Sequence, residues 1–294
     1  MKVLVTGGAG FVARHLAREL TRNGNEAVLT DVVDAQLAGF HRADLTDHTA
    51  IADLVHQVQP EAIVHLGAIS FVPDAAKDPG LLERVNVGGT RNLLKALLNA
   101  PRRGRRNPVF LFVSTAQVNH LPRSAYAESK ATAESVVQQF ANTGIDVLIA
   151  RPANHTGPGQ SPKFVVPSFI RQALEIQVGR RTRFTTGNLD SIRDFTDVRD
   201  IVAAYRLILE HGDPGNVYNI GSNNRMTIGN LLERIATIVG IPSESETDPT
   251  LWRPTDASES LDVSALARLG WTAKIPFEQT LRDMVTAMQK GIFE

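Results

Sequence analysis

Four side chains with reactive groups lie close together near the middle of the chain. Ser114 and Thr115 end an apolar run, and Tyr126 and Lys130 come shortly after them on a predicted helix. Spaced at i and i+4, Tyr126 and Lys130 share one face of that helix. An ammonium group beside a phenol stabilises the phenolate and lowers the tyrosine pKa from its usual value of about 10. These residues predict general acid–base catalysis of hydride transfer at a carbinol carbon, with a strand-end hydroxyl holding the substrate oxygen.

Tyr126 and Lys130 could be catalytic or could be a solvent-exposed pair, and the start of the chain favours the catalytic interpretation. Residues 2–5 form a β-branched run typical of a buried parallel strand, Gly7 and Gly10 make a tight turn, and an amphipathic helix follows. Such a turn binds a dinucleotide pyrophosphate, because the glycines admit the phosphates and the free N–H groups favour negative charge. Ala13 completes a Gly-x-x-Gly-x-x-Ala spacing that lets helix and strand pack closely. This context favours dinucleotide binding over a purely structural turn.

The second predicted strand ends in a carboxylate. Residues 26–31 form this strand, and Asp31 is its last residue. An acidic side chain at this place suits hydrogen bonds to ribose hydroxyls and repels a 2′-phosphate. The sequence therefore predicts NAD(H) in preference to NADP(H), and a solvated loop carboxylate is the alternative.

Helices and strands alternate through the first half of the chain. Beyond residues 26–31, apolar runs predict strands at 62–66, 109–113 and 145–150, with helices between them. This alternation predicts an α/β fold with a doubly wound parallel sheet of the Rossmann type. Ligands are expected beyond the carboxyl ends of its strands.

The character of the sequence changes after residue 152. Residues 153–168 are rich in Pro, Gly, Asn and Ser, which is typical of a binding loop. Further predicted elements are helices near 165–178, 200–211, 227–239 and 277–290, a strand at 216–220 and a polar loop at 242–260. The expected domains are a Rossmann domain of residues 1–152 plus about 194–217, and a smaller C-terminal α/β substrate domain of residues about 153–193 and 218–294.

Composition excludes several classes of protein. The chain has 294 residues, with 31 basic and 31 acidic side chains, so its formal net charge argues against nucleic acid as the main partner. It contains no cysteine, which excludes disulfides, thiolate nucleophiles and Cys-ligated zinc, and no metal site is predicted. No apolar run approaches membrane-spanning length and the chain begins directly with a strand, so we expect a cytoplasmic protein with no membrane contact.

A series of short motifs resembles the extended short-chain dehydrogenase/reductase family, in its nucleotide-sugar epimerase/dehydratase group. The motifs are Thr6–Ala13, Asp31, Asp44-Leu45, His65–Ala68, Asn86–Thr90, Ser114-Thr115, Tyr126-x-x-x-Lys130 and Arg151-Pro152. The resemblance implies that Thr115, Tyr126 and Lys130 are catalytic. It implies that the cofactor, NAD(H), contacts Gly7, Gly10, Phe11, Val12, Asp31, Asp44, Leu45, Leu66, Gly67, Ala68, Asn86, Tyr126 and Lys130.

Other segments resemble the reductases of GDP-4-keto-6-deoxy-D-mannose and the related GDP-mannose dehydratases within that group. These segments are Ser70–Asp74, Arg151–Gln160 and Arg193–Asp200. The resemblance implies a nucleotide-sugar substrate, with a GDP-sugar favoured, that contacts Ser70, Gln117, Asn154, Val165, Arg193, Arg253 and Asp256. Arginine forks suit a diphosphate, although Arg193 and Arg253 could instead form structural salt bridges.

Two departures from the family pattern bear on the reaction. Dehydratases of this group carry an acidic pair after the catalytic threonine, and this chain has Ala116 and Gln117 there. Neither accepts a proton near neutral pH, which counts against dehydration. The segment at 118–125 is also shorter than the family's usual loop, although the residues between Thr115 and Tyr126 still allow a strand end to reach a helix start.

Three functions follow for this sequence. The first is NAD(P)H-dependent reduction of the C4 keto group of a nucleotide-linked 4-keto-6-deoxy sugar, with Tyr126 as proton donor. The alternative is an NAD-dependent nucleotide-sugar 4-epimerase, and the third is a non-catalytic NAD-binding protein. The resemblance also implies a homodimer that pairs the helices at 81–100 and 124–142.

Overall fold

A computed structural model of the protein describes residues 1–35, 39–70, 78–101, 107–121, 123–252 and 260–291. The chain divides into two units. The first unit contains residues 1–152, 202–220 and 263–271, and the second unit contains residues 153–201, 221–262 and 272–294.

A sheet of seven strands forms the centre of the first unit. Its strands are β1 (Lys2–Thr6), β2 (Glu26–Asp31), β3 (Phe40–Arg42), β4 (Ala62–His65), β5 (Val109–Val113), β6 (Asp146–Pro152) and β10 (Val217–Ile220). Their order is β10-β6-β5-β4-β1-β2-β3, and all neighbouring pairs are parallel. The predicted doubly wound parallel sheet is therefore confirmed.

The helices of the first unit bury the faces of this sheet. They are α1 (Phe11–Arg22), α2 (His48–Val58), α3 (Pro79–Leu82), α4 (Gly89–Asn99), α5 (Ala125–Gln139), most of α7 (Val198–His211) and α9 (Ser264–Arg268), and a π-helical segment (Glu83–Gly88) joins α3 to α4. Ile51 of α2, Leu94 of α4 and Val137 of α5 pack in one core cluster with Ile63 and Phe110 of the sheet. Strands buried on both faces need apolar residues throughout, which explains the unbroken runs of β4 and β5.

The order of the strands locates a ligand crevice. The strand β1 lies between β2 and β4, so the connection from β1 leaves towards one edge of the sheet and the connection from β4 towards the other. In doubly wound sheets, ligands bind at the carboxyl ends of the strands where this reversal occurs. Here those ends carry the turn at Gly7 and the segment 66–70.

The second unit has two small sheets and three long helices. Its strands are β7 (Asn154–Thr156), β8 (Phe184–Thr186), β9 (Ile192–Asp197), β11 (Arg225–Thr227) and β12 (Ser245–Thr247), and its helices include α6 (Val165–Gln177), α8 (Ile228–Val239) and α10 (Phe277–Gln289). The sheet orders are β11-β9-β7 and β12-β8. Phe195 stacks on Phe277 with ring centroids 5.6 Å apart, and Phe169 meets Phe184 edge-on at 6.0 Å.

The domain boundaries differ from those expected at three places. Residues 218–220, expected in the C-terminal domain, belong to β10 in the first unit. Residues 194–201 lie in the second unit, because β9 pairs with β7 and β11. Residues 263–271, expected in the C-terminal domain, lie in the first unit, where α9 contacts β10.

The short elements of the chain were not anticipated. Strand β3 escaped prediction, and the loop expected at 242–260 contains β12, whose three residues are all exposed and so show no hydrophobic alternation. The loop expected at 153–168 contains β7. None of the described helices combines the length and the apolar character needed to span a membrane.

Replacing Asp47 by Ala should destabilise the first unit by about 1 kcal/mol, because a lost N-cap leaves helix N–H groups without a partner. The Asp47 carboxylate accepts hydrogen bonds from the N–H groups of Thr49 (3.0 Å) and Ala50 (3.1 Å) at the start of α2. Chemical denaturation measures the change. Asp53→Ala, an exposed substitution within the same helix, is the control. Equal losses in the two variants would contradict a capping role for Asp47.

Candidate active site

The turn after β1 has room only for glycine at two positions. Gly7 has φ +68°, and a Cβ on it would lie 2.9 Å from the amide nitrogen of Gly67. A Cβ on Gly8 would lie 2.8 Å from the amide nitrogen of Thr30. Side chains are therefore excluded at both positions, by backbone from two neighbouring strand ends. The glycine spacing predicted roles for Gly7 and Gly10 but not for Gly8. The steric constraint on Gly8 comes from Thr30, which is distant in the sequence.

The N-terminus of α1 fits an anion. Its N-cap residue is Gly10, no side chain caps it, and no acidic residue lies in the first turn. The first N–H groups of a helix have no partner within the helix, and the helix dipole adds partial positive charge there. A pyrophosphate supplies the missing acceptors, so this turn fits the dinucleotide predicted from the sequence. Phe11 and Val12, both predicted to contact the cofactor, form the first turn and are half-buried.

Asp31 lies beside this turn at the end of β2. Its Oδ2 accepts a hydrogen bond from the N–H of Ala9 at 3.2 Å, and its Oδ1 accepts one from the N–H of Val32 at 2.7 Å. The carboxylate is thus held at the edge of the glycine turn, where the sequence predicted a contact to the cofactor ribose.

Leu45 lies at the same crevice. A Cβ on Gly67 would lie 2.9 Å from Leu45 Cδ1, and one on Gly89 would lie 2.8 Å from Leu45 Cβ. Leu45 therefore packs between two glycines, one after β4 and one at the start of α4. The carboxylate of Asp44, by contrast, accepts hydrogen bonds from the N–H and the hydroxyl of Thr46, both at 2.8 Å. The predicted adenine contacts of Asp44 and Leu45 stay predictions.

The buried His65 side chain lies in a chain of hydrogen bonds that connects the end of β1 to the segment after β4 and to α4. The N–H of Gly67 donates to Thr6 Oγ1 at 3.0 Å, and Thr6 Oγ1 lies 2.7 Å from His65 Nδ1. The other ring nitrogen, Nε2, lies 3.0 Å from Thr90 Oγ1. All these side chains are buried, so each polar group needs a partner within the protein.

The hydroxyl hydrogens determine the tautomer of His65. The hydroxyl of Thr90 donates its hydrogen to the carbonyl of Asn86 at 2.6 Å. The Thr90 oxygen therefore accepts a hydrogen bond from His65 Nε2–H. Nδ1 then accepts from Thr6, whose oxygen already accepts from Gly67. A second proton on the ring would have no acceptor. Burial, together with the positive charge of Lys130, accordingly lowers the pKa of His65 to about 3.

Asn86 extends these hydrogen bonds to α5, the helix that carries Tyr126 and Lys130. Its Nδ2 donates to Ser129 Oγ at 2.9 Å and to the carbonyl of Ile69 at 3.3 Å, and its Oδ1 accepts from the N–H of Ile69 at 2.8 Å. Ser129 Oγ in turn donates to the carbonyl of Tyr126 at 2.8 Å. Asn86 lies in the π-helical segment, a geometry often found at functional sites.

The geometry gives Asn86 a positioning role. Both hydrogens of its amide are donated within the protein, and its oxygen accepts a hydrogen bond from the N–H of Ile69. It therefore joins the segment after β4 to α5. The predicted contact of Asn86 with the cofactor stays a prediction.

Burial governs the ionisation of Lys130. Its Nζ donates to the carbonyl of Val113 at 2.6 Å and lies 4.6 Å from the centroid of the Phe112 ring. Burial lowers the pKa of Lys130 to about 7, although the charge of Glu134 one helical turn later opposes this shift.

Tyr126 differs from what the sequence predicted. Burial raises the pKa of its phenol to about 12, and Lys130 does not lower it. The reason is the direction of the ammonium group, which points to the carbonyl of Val113 at the end of β5. The expectation that Lys130 brings the phenol towards its ionised form was therefore wrong for the protein alone.

The strand-end hydroxyls lie where the sequence expected them. Thr115 is buried and begins a short 3₁₀ helix (Ala116–Asn119), where its Oγ1 accepts from the N–H of Gln117 at 3.3 Å. This leaves its hydroxyl hydrogen for a substrate oxygen. Ser114 Oγ is buried and has no hydrogen-bond partner among the described residues. Ala116 is buried and the side chain of Gln117 is exposed.

Glu134 and Arg151 form an ion pair. The sequence analysis singled out Arg151 but not Glu134. Arg151 Nε donates to Glu134 Oε1 at 2.9 Å, and its Nη1 donates to Asn119 Oδ1 at 3.3 Å. The pair therefore ties α5, one turn after Lys130, to the short helix that follows Thr115. A carboxylate at i+4 from a buried lysine was the available signal, because a buried acid requires a cationic partner.

The second unit contains three of the predicted substrate residues. Asn154 in β7 is paired with Phe195 of β9, two residues after Arg193, so the parallel register places Asn154 and Arg193 on one face of the small sheet. Val165 begins α6. Ser70 is exposed in the first unit. Arg253, Asp256 and the segment 71–74 lie outside the described residues.

A model of the NAD-dependent epimerase/dehydratase family matches residues 3–221. The chain belongs to this family. The resemblance derived from the motifs is thereby confirmed. The family match covers β1, the glycine turn, Asp31, Tyr126 and Lys130.

Individual members of the epimerase/dehydratase family are similar over the whole chain. The GDP-6-deoxy-D-mannose reductase of Pseudomonas aeruginosa is 34% identical, with 100% of this chain and 99% of that protein covered. The structure of RMD from Pseudomonas aeruginosa complexed with NADPH is 32% identical, with a TM-score of 0.85 over 99% of both chains. UDP-glucose 4-epimerase of Thermus thermophilus in complex with NAD is 27% identical, with a TM-score of 0.85 over 98% of this chain and 99% of that one.

Gly7→Ala should abolish measurable binding of the dinucleotide, because the added Cβ meets the backbone of Gly67 and the left-handed conformation costs about 1–2 kcal/mol. Isothermal titration with NAD and NADP measures binding. Gly24→Ala is the matched control, since Gly24 has φ +76° but nothing within 4 Å of its would-be Cβ. It should lose stability and keep binding. Unchanged affinity in Gly7→Ala would contradict the assignment of this turn.

His65 should remain neutral, protonated only at Nε2, when the folded protein is brought to pH 5. Imidazole ¹⁵N shifts measure this directly, and a His65→Gln variant assigns the signal. Because the folded pKa lies below the unfolded value of about 6.5, His65 should cost the fold up to about 1.4 kcal/mol per pH unit as the pH falls below that value. A charged imidazolium at pH 5 would overturn the tautomer assignment.

Proposed function

We propose that the protein is an NAD(P)H-dependent reductase of the C4 keto group of a nucleotide-linked 4-keto-6-deoxy sugar, of the GDP-4-keto-6-deoxy-D-mannose type. The similarity to the Pseudomonas aeruginosa reductase over the whole chain supports this substrate class. Either reduced cofactor is included, since one similar structure holds NADPH and another holds NAD. A GDP-sugar is the favoured substrate within this proposal.

The observation that carries the proposal is the site around Tyr126. Thr115, Tyr126 and Lys130 are present together, and Ala116 and Gln117 stand where a dehydratase has its acidic pair. An alanine and an amide cannot remove a carbon-bound proton near neutral pH. What remains is a hydroxyl, a phenol and an amine, which suffice for proton transfer to and from an oxygen.

Each of these side chains has a defined role in the reduction. The bound cofactor supplies the hydride that adds to C4. The hydroxyl of Thr115 orients the carbonyl oxygen, and Tyr126 Oη donates its proton to that oxygen as the C4 hydroxyl forms. Lys130 has a pKa of about 7, so near neutral pH it can return a proton to the tyrosine.

In the protein alone, the phenol of Tyr126 is in the protonation state that a reduction requires. Burial raises the pKa of the phenol to about 12, so it carries its proton at neutral pH. A reductase needs a proton donor at the start. A 4-epimerase must first remove the proton of the C4 hydroxyl and therefore needs a base there.

We further propose that the protein is a cytoplasmic homodimer. The sequence resemblance supports a homodimer that pairs the surfaces of α4 and α5. A cytoplasmic location suits an enzyme of nucleotide-sugar metabolism.

Incubation with the GDP-4-keto-6-deoxy sugar should consume added NADH or NADPH, as followed by the absorbance of the reduced nicotinamide. Tyr126→Phe should lower kcat by about 10²–10⁴-fold, because it removes the proton donor and leaves the ring in place. Tyr218→Phe is the control, since the hydroxyl of Tyr218 accepts a hydrogen bond from the N–H of Asp213 away from this site. It should keep the wild-type kcat.

Other outcomes distinguish the alternatives. No oxidation of either cofactor by the wild type would overturn the reductase. An epimerase should co-purify with NAD and turn over without added cofactor. Full activity of Tyr126→Phe in cells that depend on the protein would favour a non-catalytic NAD-binding role.

A further inference from the structure

Arg42 lies beside the carboxylate that was expected to select NAD(H). The strands β2 and β3 are parallel, and Asp31 and Arg42 are partners in their register. Paired residues on neighbouring parallel strands lie roughly 5 Å apart and project to the same face. At the end of β3, Arg42 thus carries a positive charge to the same edge of the crevice.

A single hydrogen bond orients the guanidinium group of Arg42. Its Nε donates to the carbonyl of Val32 at 3.0 Å, immediately after Asp31. Val32 and Val33 are 51% and 55% exposed, so the side chains around this group leave it open to solvent. Nη1 and Nη2 of Arg42 make no hydrogen bond and no ion pair with any residue that the structure describes. Two donors in a planar fork therefore remain for a ligand.

The carboxylate of Asp31 is occupied by backbone. Its Oδ2 accepts from Ala9 and its Oδ1 accepts from Val32, with a longer contact from the N–H of Val33 at 3.4 Å. These donors hold the carboxylate towards the glycine turn. No salt bridge joins Asp31 and Arg42, whose hydrogen bonds go to the backbone.

We propose that Arg42 forms a subsite for the 2′-phosphate of NADP(H), so that the protein binds NADP(H) as well as NAD(H). The inference deepens the proposed function, because it concerns the cofactor of the same site. Arginine binds phosphate through two parallel N–H donors, a geometry that lysine cannot reproduce. Asp31 repels the same phosphate, so two opposite charges on neighbouring strands act on it in opposite directions.

This arrangement revises the selectivity expected from the sequence. A lone carboxylate at the end of β2 predicts a preference for NAD(H) over NADP(H). With a guanidinium group in register beside it, the repulsion is offset, and neither cofactor is excluded. Arg42 could not be assigned from sequence, because β3 was not predicted and its register with β2 was unknown.

The experiment compares adenosine 2′,5′-bisphosphate with 5′-AMP, which differ only by the 2′-phosphate. Isothermal titration of the full chain should give the bisphosphate an affinity equal to or above that of AMP, and weaker at higher salt because a charged contact is screened. Arg42→Ala should lower the affinity for the bisphosphate by about tenfold or more, as expected for loss of one charge-assisted phosphate contact. The affinity for AMP should change by less than about twofold. Full-length NADP and NAD should follow the same pattern.

Two control variants complete the test. Arg42→Lys should recover part of the affinity for the bisphosphate, because it restores the charge without the fork. Arg91→Ala removes an exposed charge from α4 and should leave both ligands unchanged, which excludes a general effect of net charge. Thermal unfolding of each variant establishes that it folds.

Several results would overturn the assignment. Equal weakening of both ligands in Arg42→Ala would show that Arg42 only braces the backbone at Val32. A wild type that binds the bisphosphate far more weakly than AMP would show that Asp31 excludes the phosphate. Because these fragments contain neither nicotinamide nor sugar, failure of the reductase proposal leaves the outcome unaffected, and failure here leaves the reductase proposal intact.

Discussion

The neutral imidazole of His65 holds the site together. Through Thr6 it fixes the amide of Gly67, which a Cβ on Gly7 would approach most closely. Through Thr90 it reaches the backbone of Asn86, whose side chain contacts Ser129 on the catalytic helix. The glycine turn and the helix of Tyr126 are thus connected by buried hydrogen bonds in which every hydrogen has one acceptor. Such a network tolerates no spare proton, which is why it needs a histidine that stays uncharged.

The same burial that stabilises this network sets the electrostatics of the catalytic groups. Low-dielectric surroundings disfavour charge on both Lys130 and Tyr126, so the lysine pKa falls and the tyrosine pKa rises. The Glu134–Arg151 pair keeps an anion near Lys130 without leaving that anion unpaired. The protein alone presents a protonated phenol, which is the state that a reduction consumes.

Much of the fold and the centre of the site could be predicted because their signals are local. The apolar runs of β1 and β5, the spacing of Gly7, Gly10 and Ala13, and the i, i+4 pair of Tyr126 and Lys130 each lie within one element. Contacts between distant segments carry no such signal. The partners of His65 lie 59 and 25 residues away, and the constraint on Gly8 comes from β2. The direction of the Lys130 ammonium group depends on a strand-end carbonyl, and burial raises the pKa of Tyr126, so the lowered phenol pKa expected from the Tyr–Lys spacing was wrong.

The proposed cofactor selectivity depends on short elements, and these are the hardest to predict from sequence. A three-residue strand such as β3 has too few residues to show a period, yet it places Arg42 in register with Asp31. Likewise, the chemistry at the end of β5 depends on two residues, Ala116 and Gln117. Neither side chain can act as a base, which makes dehydration unfavourable. The parallel sheet supplies a crevice suited to many reactions on nucleotide sugars. We propose that the choice of cofactor and of reaction depends on single side chains at the ends of β2, β3 and β5, where a charge or a missing base can differ without disturbing the fold.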